Sequence, residues 1–173
     1  NTAFGAKIVD NTYSNGQGVI TFDRPILTIR QSAFNSCDNL ATIMIPKTVT
    51  EIEDYAFEDC STLSSITLPN NTTTIGEGTF SGCSSLTEVN IPNNVTRLES
   101  SCFSDCENLK NIIIPEHVAV IKSYCFFDCI NLQKIKIPDS VTHLGIYSFD
   151  FCKNLTNVYL STNLTELNAK TFY

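Results

Sequence analysis

No run of about 18 apolar residues occurs in the 173-residue sequence, so no segment has the length of a membrane-spanning helix. Glycine and proline are scarce, at 7 and 6 residues, which excludes a flexible linker or low-complexity tail. With 42% hydrophobic content, this predicts one ordered folded unit. Basic charge is short as well: 11 Lys and Arg stand against 18 Asp and Glu, and the net charge of −7 argues against a nucleic-acid partner. The deficit lies in residues 1–107, with 5 basic and 13 acidic side chains, whereas residues 108–173 carry 6 and 5. Such asymmetry keeps a surface soluble and could orient a charged partner. From Asn1 onward there is no basic and then apolar stretch of a secretory signal, so an export signal is expected to have been removed. Histidine is limited to His117 and His143, which read as exposed turn residues.

What the sequence does have is a period. Phenylalanine recurs at Phe34, Phe57, Phe80, Phe103, Phe126, Phe149 and Phe172, always 23 residues apart. Cys37, Cys60, Cys83, Cys106, Cys129 and Cys152 follow three residues later, and Leu40, Leu63, Leu86, Leu109, Leu132 and Leu155 six residues later. A period of this length predicts a solenoid of stacked coils. Alternating pairs such as Ile43/Ile45, Ile66/Leu68 and Ile135/Ile137 predict one short strand per coil, buried on one face. Pro46, Pro69, Pro92, Pro115 and Pro138 end those strands, having no N–H to donate, and only Ser161 breaks the column. A return path then buries Val49/Ile52 and their equivalents. The spacing of Phe, Cys and Leu predicts about one helical or 3₁₀ turn on the outer side. A polar column, Asn39, Thr62, Ser85, Asn108, Asn131 and Asn154, is expected to satisfy turn backbone groups one coil away.

Residues 1–19 lie outside the period. Ala6–Val9 and Gly18–Phe22 read as two strands around a loop at 11–17, and a strand over Phe4–Val9 is expected to cover the first apolar layer. Ile20, Phe22, Ile26 and Ile29 then form a half-repeat. At the other end, the layer of Leu155, Val158, Leu160, Leu164 and Leu167 has no coil above it. It is expected to be covered by further chain or by end-to-end self-association.

The unit Ile75-Gly76-Glu77-Gly78-Thr79-Phe80-Ser81-Gly82-Cys83-Ser84-Ser85-Leu86-Thr87-Glu88-Val89-Asn90-Ile91-Pro92 resembles the 23-residue leucine-rich repeat of the BspA-like surface proteins, and the likeness covers residues 20–173. The lead-in around Phe4–Val9 and Ile20–Asp23 is similar to that of such proteins from Bacteroides-type bacteria. The resemblance implies an α/β leucine-rich-repeat solenoid, β-rich and right-handed, with a parallel concave sheet and short, 3₁₀ or helical turns outside. It divides the chain into a hairpin-like cap at 1–19 and a solenoid at 20–173, made of a half repeat and six full repeats. It also implies a non-enzymatic module at the cell surface or outside the cell, binding a host or microbial surface protein or glycan through the concave face. The other reading is a structural spacer that carries another domain.

Little in the chain suggests chemistry. Six of the eight cysteines fill one inward column, and Cys102 and Cys125 replace Ala33, Ala56, Thr79 and Ser148 in another, so all eight are expected to be buried free thiols. The competing reading is a four-thiolate site of Cys102, Cys106, Cys125 and Cys129. The acidic cluster Glu51, Glu53, Asp54, Glu58 and Asp59 lacks an EF-hand pattern and reads as a solvated face. Sequons at Asn70, Asn71, Asn94, Asn154 and Asn163 arise from the repeat's own turn. No metal and no cofactor is expected. Binding specificity has to be written where the repeat does not dictate the residue. On the outward strand positions this singles out Met44, Ile113, Lys134, Lys136 and Tyr159, of which the last four are expected to form one aromatic, apolar and basic patch.

Overall fold

The computed structural model describes residues 6–14 and 17–173 and shows a β-solenoid. Each path of the coil alternates buried and exposed residues, so most coils give two short strands where the sequence predicts one. In chain order they are β1 (Ile8–Ser14), β2 (Gln17–Phe22), β3 (Thr28–Ile29), β4 (Thr42–Met44), β5 (Glu51–Ile52), β6 (Ser65–Thr67) and β7 (Thr74–Ile75). They continue with β8 (Glu88–Val89), β9 (Arg97–Leu98), β10 (Val120–Ile121), β11 (Lys134–Lys136), β12 (His143–Leu144) and β13 (Asn157–Tyr159).

Two parallel ladders, β4–β6–β8 and β11–β13, make the strand face, and β3–β5–β7 and β9–β10–β12 run along the return path. Like residues stack on like: Ile43 opposes Ile66, Ile66 opposes Val89, and Ile29 opposes Ile52, which opposes Ile75. The strand face is interrupted between β8 and β11, where Asn111–Ile113 form no strand. Asn90 stands at that break. Its carboxamide accepts from the Leu68 N–H at 2.7 Å and donates to the Leu68 carbonyl at 3.0 Å, so a side chain takes up backbone groups at the end of β6.

Of the short, 3₁₀ or helical turns expected on the outer side, the chain makes the short ones: no residue there is helical among the described residues. The reason lies in two residues per coil, two before and two after the repeat Phe, that take left-handed backbone, such as Tyr55 (φ 57) and Asp59 (φ 57). A left-handed residue stops helix propagation, so the chain makes overlapping tight turns instead. Its amides split into two sets. Those of Glu58, Cys60 and Leu63 donate within their own coil, to Tyr55, Phe57 and Cys60, at 3.2, 3.2 and 3.0 Å. Those of Tyr55, Phe57 and Asp59 donate to the next coil, to Glu77, Thr79 and Ser81, at 2.8, 2.9 and 2.7 Å. Every second turn amide therefore ties one coil to the next, as the ladders do on the other side.

Inside, the seven repeat phenylalanines stack in one column, with centroids 5.1–5.6 Å apart and planes within 11°. Beside it runs a thiol ladder: Cys60, Cys83, Cys106, Cys129 and Cys152 each donate S–H to the Phe carbonyl of the preceding coil at 3.1–3.2 Å. A compact apolar side chain with a weak donor suits that column. In the polar column Thr62, Asn108 and Asn131 donate to Asp38, Ser84 and Glu107 carbonyls at 2.7, 2.8 and 2.9 Å, as the column predicts, while Asn154 donates instead to the Asn131 side chain at 3.2 Å.

The hairpin is longer and less of a cover than the sequence suggests. β1 runs through residues read as loop, pairing Asp10 with Thr21 and Ser14 with Gln17 around a bulge between Ile8 and Asp10. Ala6 and Lys7 are not in a strand, and Phe4 lies outside the described residues. Among the described residues of this segment Ala6, Ile8 and Phe22 pack on the core, and Phe34, Cys37, Leu40, Ile43 and Ile45 of the first full repeat are half-buried. Ile20, placed by sequence in a core column, is exposed on the hairpin.

Candidate functional site

Three kinds of surface could carry function. On the strand face, β-alternation turns Met44, Lys134, Lys136 and Tyr159 to solvent, and Ile113 projects from the interrupted coil. Three of these are large and apolar yet exposed: Met44 by 95%, Ile113 by 85% and Tyr159 by 61%. In-register pairing sets Lys136 opposite Tyr159 and Lys134 opposite Asn157, and the repeat places Ile113 one coil before Lys136. Lys136 also meets Glu116 at 3.0 Å across the proline turn, leaving Lys134 as the lysine of this pair without an ion pair. Met44 is not part of the patch. It lies three coils from Ile113, beside an open depression lined by Thr42, Lys47, Thr67, Asn70 and Asn71.

The second surface, the outer turn face, changes character along its length. At the Phe57 coil it is acidic and internally bonded: Glu53 pairs with Arg30 at 3.7 Å, Glu58 accepts from Asn35 at 2.6 Å, and Asp54 accepts from the Glu77 N–H at 2.8 Å. The Tyr55 hydroxyl donates to Glu77 at 2.6 Å, and that carboxylate pushes the phenol up to about 12. The Tyr55 ring lies over Gly78, where a Cβ would come within 2.5 Å of it, and Gly78 itself is left-handed (φ 56). Near the other end the same face is aromatic. Tyr124 stacks on Tyr147 at 5.0 Å and meets Phe127 edge-on at 5.6 Å, and Phe127 meets Phe151 at 5.4 Å. Sequence reasoning missed this cluster because the positions beside the repeat Phe hold no one residue type from coil to coil. The signal was present as four aromatic residues close to the repeat Phe in consecutive coils, at Tyr124, Phe127, Tyr147 and Phe151.

The third is the set of thiols. All eight are free, Cys37 half-buried and the rest buried. Burial pushes Cys60 up to about 11 and Cys152 up to about 12, and drives Cys106, Cys125 and Cys129 well above the ordinary thiol range. A buried neutral thiol is a poor nucleophile and a poor metal ligand. Among the described residues no group of three or more His, Cys, Asp or Glu is arranged to hold a metal, so Cys102, Cys106, Cys125 and Cys129 do not converge as a four-thiolate site. His143 is exposed and bonded to Thr142 at 2.8 Å, on a different column from His117. No helix among the described residues is long and apolar enough to cross a membrane.

Comparison with known proteins accords with this architecture. No curated protein matches the chain. Among solved structures, a leucine-rich repeat protein of T. pallidum is similar at 30% identity and TM-score 0.76, over 82% of this chain and 65% of that one. A leucine-rich cell surface protein of Faecalibacterium prausnitzii is similar at 31% identity and TM-score 0.66, over 86% of this chain and 37% of that one. A leucine-rich repeat protein of Eubacterium ventriosum is similar at 26% identity and TM-score 0.75, over 81% of this chain and 38% of that one. The chain thus spans between 37% and 65% of the length of these relatives. The family model for the BspA type leucine-rich repeat region matches six copies, over residues 7–115 and 82–173. Taken with the stacked Phe, Cys and Leu columns, that match shows that the chain belongs to the BspA-type leucine-rich repeat family.

Proposed function

We propose that this protein is a non-enzymatic recognition module of the cell surface or extracellular space, which binds a host or microbial surface protein or glycan through the strand face. The observation that carries the reading is the contrast between columns. Inward positions repeat the same residue from coil to coil, while the outward strand positions vary and leave Ile113, Lys134 and Tyr159 in solvent, where they add nothing to the core. Exposed aromatic and apolar side chains beside a free ammonium are the composition favoured at contact sites. The cell-surface description of the F. prausnitzii relative supports the location.

A glycan array together with a screen of matrix proteins would identify the partner. Against that partner Lys134→Glu with Lys136→Glu, and separately Tyr159→Ala, should lower affinity at least tenfold. Both should leave the melting temperature unchanged, because these side chains point away from the core. Unchanged affinity in both variants would remove the patch from consideration. The spacer reading is favoured if no partner is recovered and the protein tolerates any outward substitution without functional loss.

A second contact belongs to the same proposal. Val158, Leu160 and Leu167 are exposed by 38%, 46% and 52%, and this apolar layer would pair with the same layer of another copy.

A further inference from the structure

Hydrogen bonding from coil to coil fails at one interior junction on two sides of the solenoid. On the return path the amides of Thr50, Thr73, Ala119 and Thr142 each donate to the coil before, at 2.8, 2.9, 2.8 and 3.0 Å. Thr96 stands in the same column and makes no such bond to Thr73. Gly76 and Lys122 donate to Ile52 and Leu98 at 2.9 and 3.0 Å, whereas Glu99 does not donate to Ile75. The ladder stops there as well, since β7 and β9 do not pair. On the strand side Thr87 donates to Ser64 at 3.0 Å and Gln133 to Lys110 at 3.3 Å, but Lys110 does not donate to Thr87. There β8 pairs with β6 and with no strand of the coil that follows.

Side chains mark the same junction. After the strand, Asn71, Asn94 and Asn163 each donate to a carbonyl one coil back, at 3.4, 2.9 and 2.7 Å. His117 replaces Asn in this column, and among the described residues no hydrogen bond joins it to Asn93. Asn90 spends its carboxamide on Leu68, on the side away from the break. The core is also least sealed here: Val89, Ile91 and Ile112 keep 8, 7 and 7% of their surface exposed, against 1% for Leu68 and Ile135 in the same columns. The turn side, by contrast, holds. Gly78, Phe80 and Gly82 donate to Ser100, Cys102 and Ser104 at 2.9 Å each, and the Cys106 thiol donates to the Phe80 carbonyl at 3.2 Å. Among the described coils this one alone has glycine at both left-handed positions, Gly78 and Gly82, where the backbone can turn at least cost.

We propose that the solenoid opens at this seam, the coils up to residue 91 and those from residue 96 swinging apart on the strand and return sides about a hinge at Gly78 and Gly82. Opening there separates apolar side chains but breaks no ladder bond, whereas opening within β3–β5–β7 or β9–β10–β12 breaks them. Local opening follows the cheapest junction of a stack, and a hinge concentrates in a few residues that absorb the backbone change. Residues 92–95 join the two parts on the side opposite the hinge and limit how far they swing. The seam crosses the strand face beside Ile113. A partner that touches both β8 and Ile113 therefore favours one width of that face and shifts the equilibrium toward it. The opening itself does not depend on the strand-face reading above.

Thiol labelling of native Leu98→Cys and Ile121→Cys, followed site by site by mass spectrometry, tests the proposal. Leu98 and Ile121 share a column and both are fully buried, so a difference in rate reports opening and not static exposure. The Leu98→Cys thiol, at the seam, is expected to react about tenfold faster or more. Cys102, at the same junction on the hinge side, should stay slow. Asn90→Thr with His117→Asn, residue types that other coils carry in these columns, should slow the Leu98→Cys thiol toward the rate of Ile121→Cys. Equal rates at the two sites overturn the proposal. So does a Cys102 that reacts as fast as Leu98→Cys, since the parts then separate on the turn side as well. Hydrogen exchange of the unaltered chain decides independently of any substitution. The amides of Thr96, Glu99 and Lys110 should exchange as unbonded ones, while Phe80 and Gly82 are as protected as Phe57 and Asp59. Protection of the first three at the level of Thr73 overturns the seam, and loss of protection at Phe80 and Gly82 overturns the hinge.

Discussion

The coils in the middle and the coils at the two ends are built from the same residues in the same columns, and yet they are not equally buried. Phe57, Cys60 and Leu63 are fully buried, whereas Phe34, Cys37 and Leu40, one coil earlier, are only half-buried. Val89 and Ile91 are buried where Val158 and Leu160, three coils later, are exposed. Burial here belongs to having a coil on both sides and not to the residue. Stability is then a sum over nearest-neighbour interfaces, and the same substitution costs different amounts at different coils.

That difference can be broken most severely by cutting the phenylalanine column. Phe103→Ala opens a cavity between two stacked rings and should cost about 3–5 kcal/mol. Phe172→Ala removes a ring stacked on one side only, and should cost less than half as much, as read by urea denaturation of both variants. Equal costs would sink the nearest-neighbour account.

Alkaline pH sharpens the same contrast. The interior thiols have folded values raised above their ordinary 9.0, Cys60 to about 11 and Cys152 to about 12, because burial disfavours the thiolate. The unfolded chain loses those protons first, so the stabilisation is fully present below pH 9 and is lost as pH rises through 11 and 12. Stability measured from neutral pH upward should begin to fall near pH 9, and replacing Cys83 and Cys106 with Ala should flatten that fall. Thiol titration should agree: eight free thiols in denaturant without reductant, few in the native protein, and Cys37 the first to react.

A smaller effect is expected from Cys83→Ala against Cys37→Ala. The interior change removes an S–H···O bond and leaves a void, about 1–2 kcal/mol, while Cys37 is half-buried and its substitution should cost a fraction of that. Smallest of all should be Leu160→Lys, within about 0.5 kcal/mol, because this leucine is already 46% exposed.

How much was legible in the sequence follows from what each feature depends on. The Phe, Cys and Leu columns, the strand prolines and the β-alternation of Ile135 are set by residue type at a fixed interval, and the structure has them where the period puts them. The return-path strands were less legible because two residues such as Glu51–Ile52 are too few to show an alternation. Whether the turn is short, 3₁₀ or helical was not legible, because left-handed backbone at Tyr55 or Phe151 has no sequence signature when the residue is neither Gly nor Asn. In the candidate site the outward positions of β11 and β13 were legible from alternation alone. The separation of Met44 from the Ile113 patch could have been counted from the repeat. The Lys136–Glu116 pair could not, since it crosses a proline turn whose course only the fold supplies.

By itself, then, the 23-residue period determined that the chain stacks on itself and which side chains face inward. Only the tertiary structure decided where the ladders break, at Asn90 and Asn111–Ile113, and which coils remain half-covered. It alone also decided that alternate turn amides bond between coils, and that Tyr124, Phe127, Tyr147 and Phe151 meet as one cluster. The reason is physical: inward and outward facing is a local property of alternation and spacing, whereas a hydrogen bond between coils or a contact between side chains on successive turns depends on the rise, twist and backbone conformation of the whole stack.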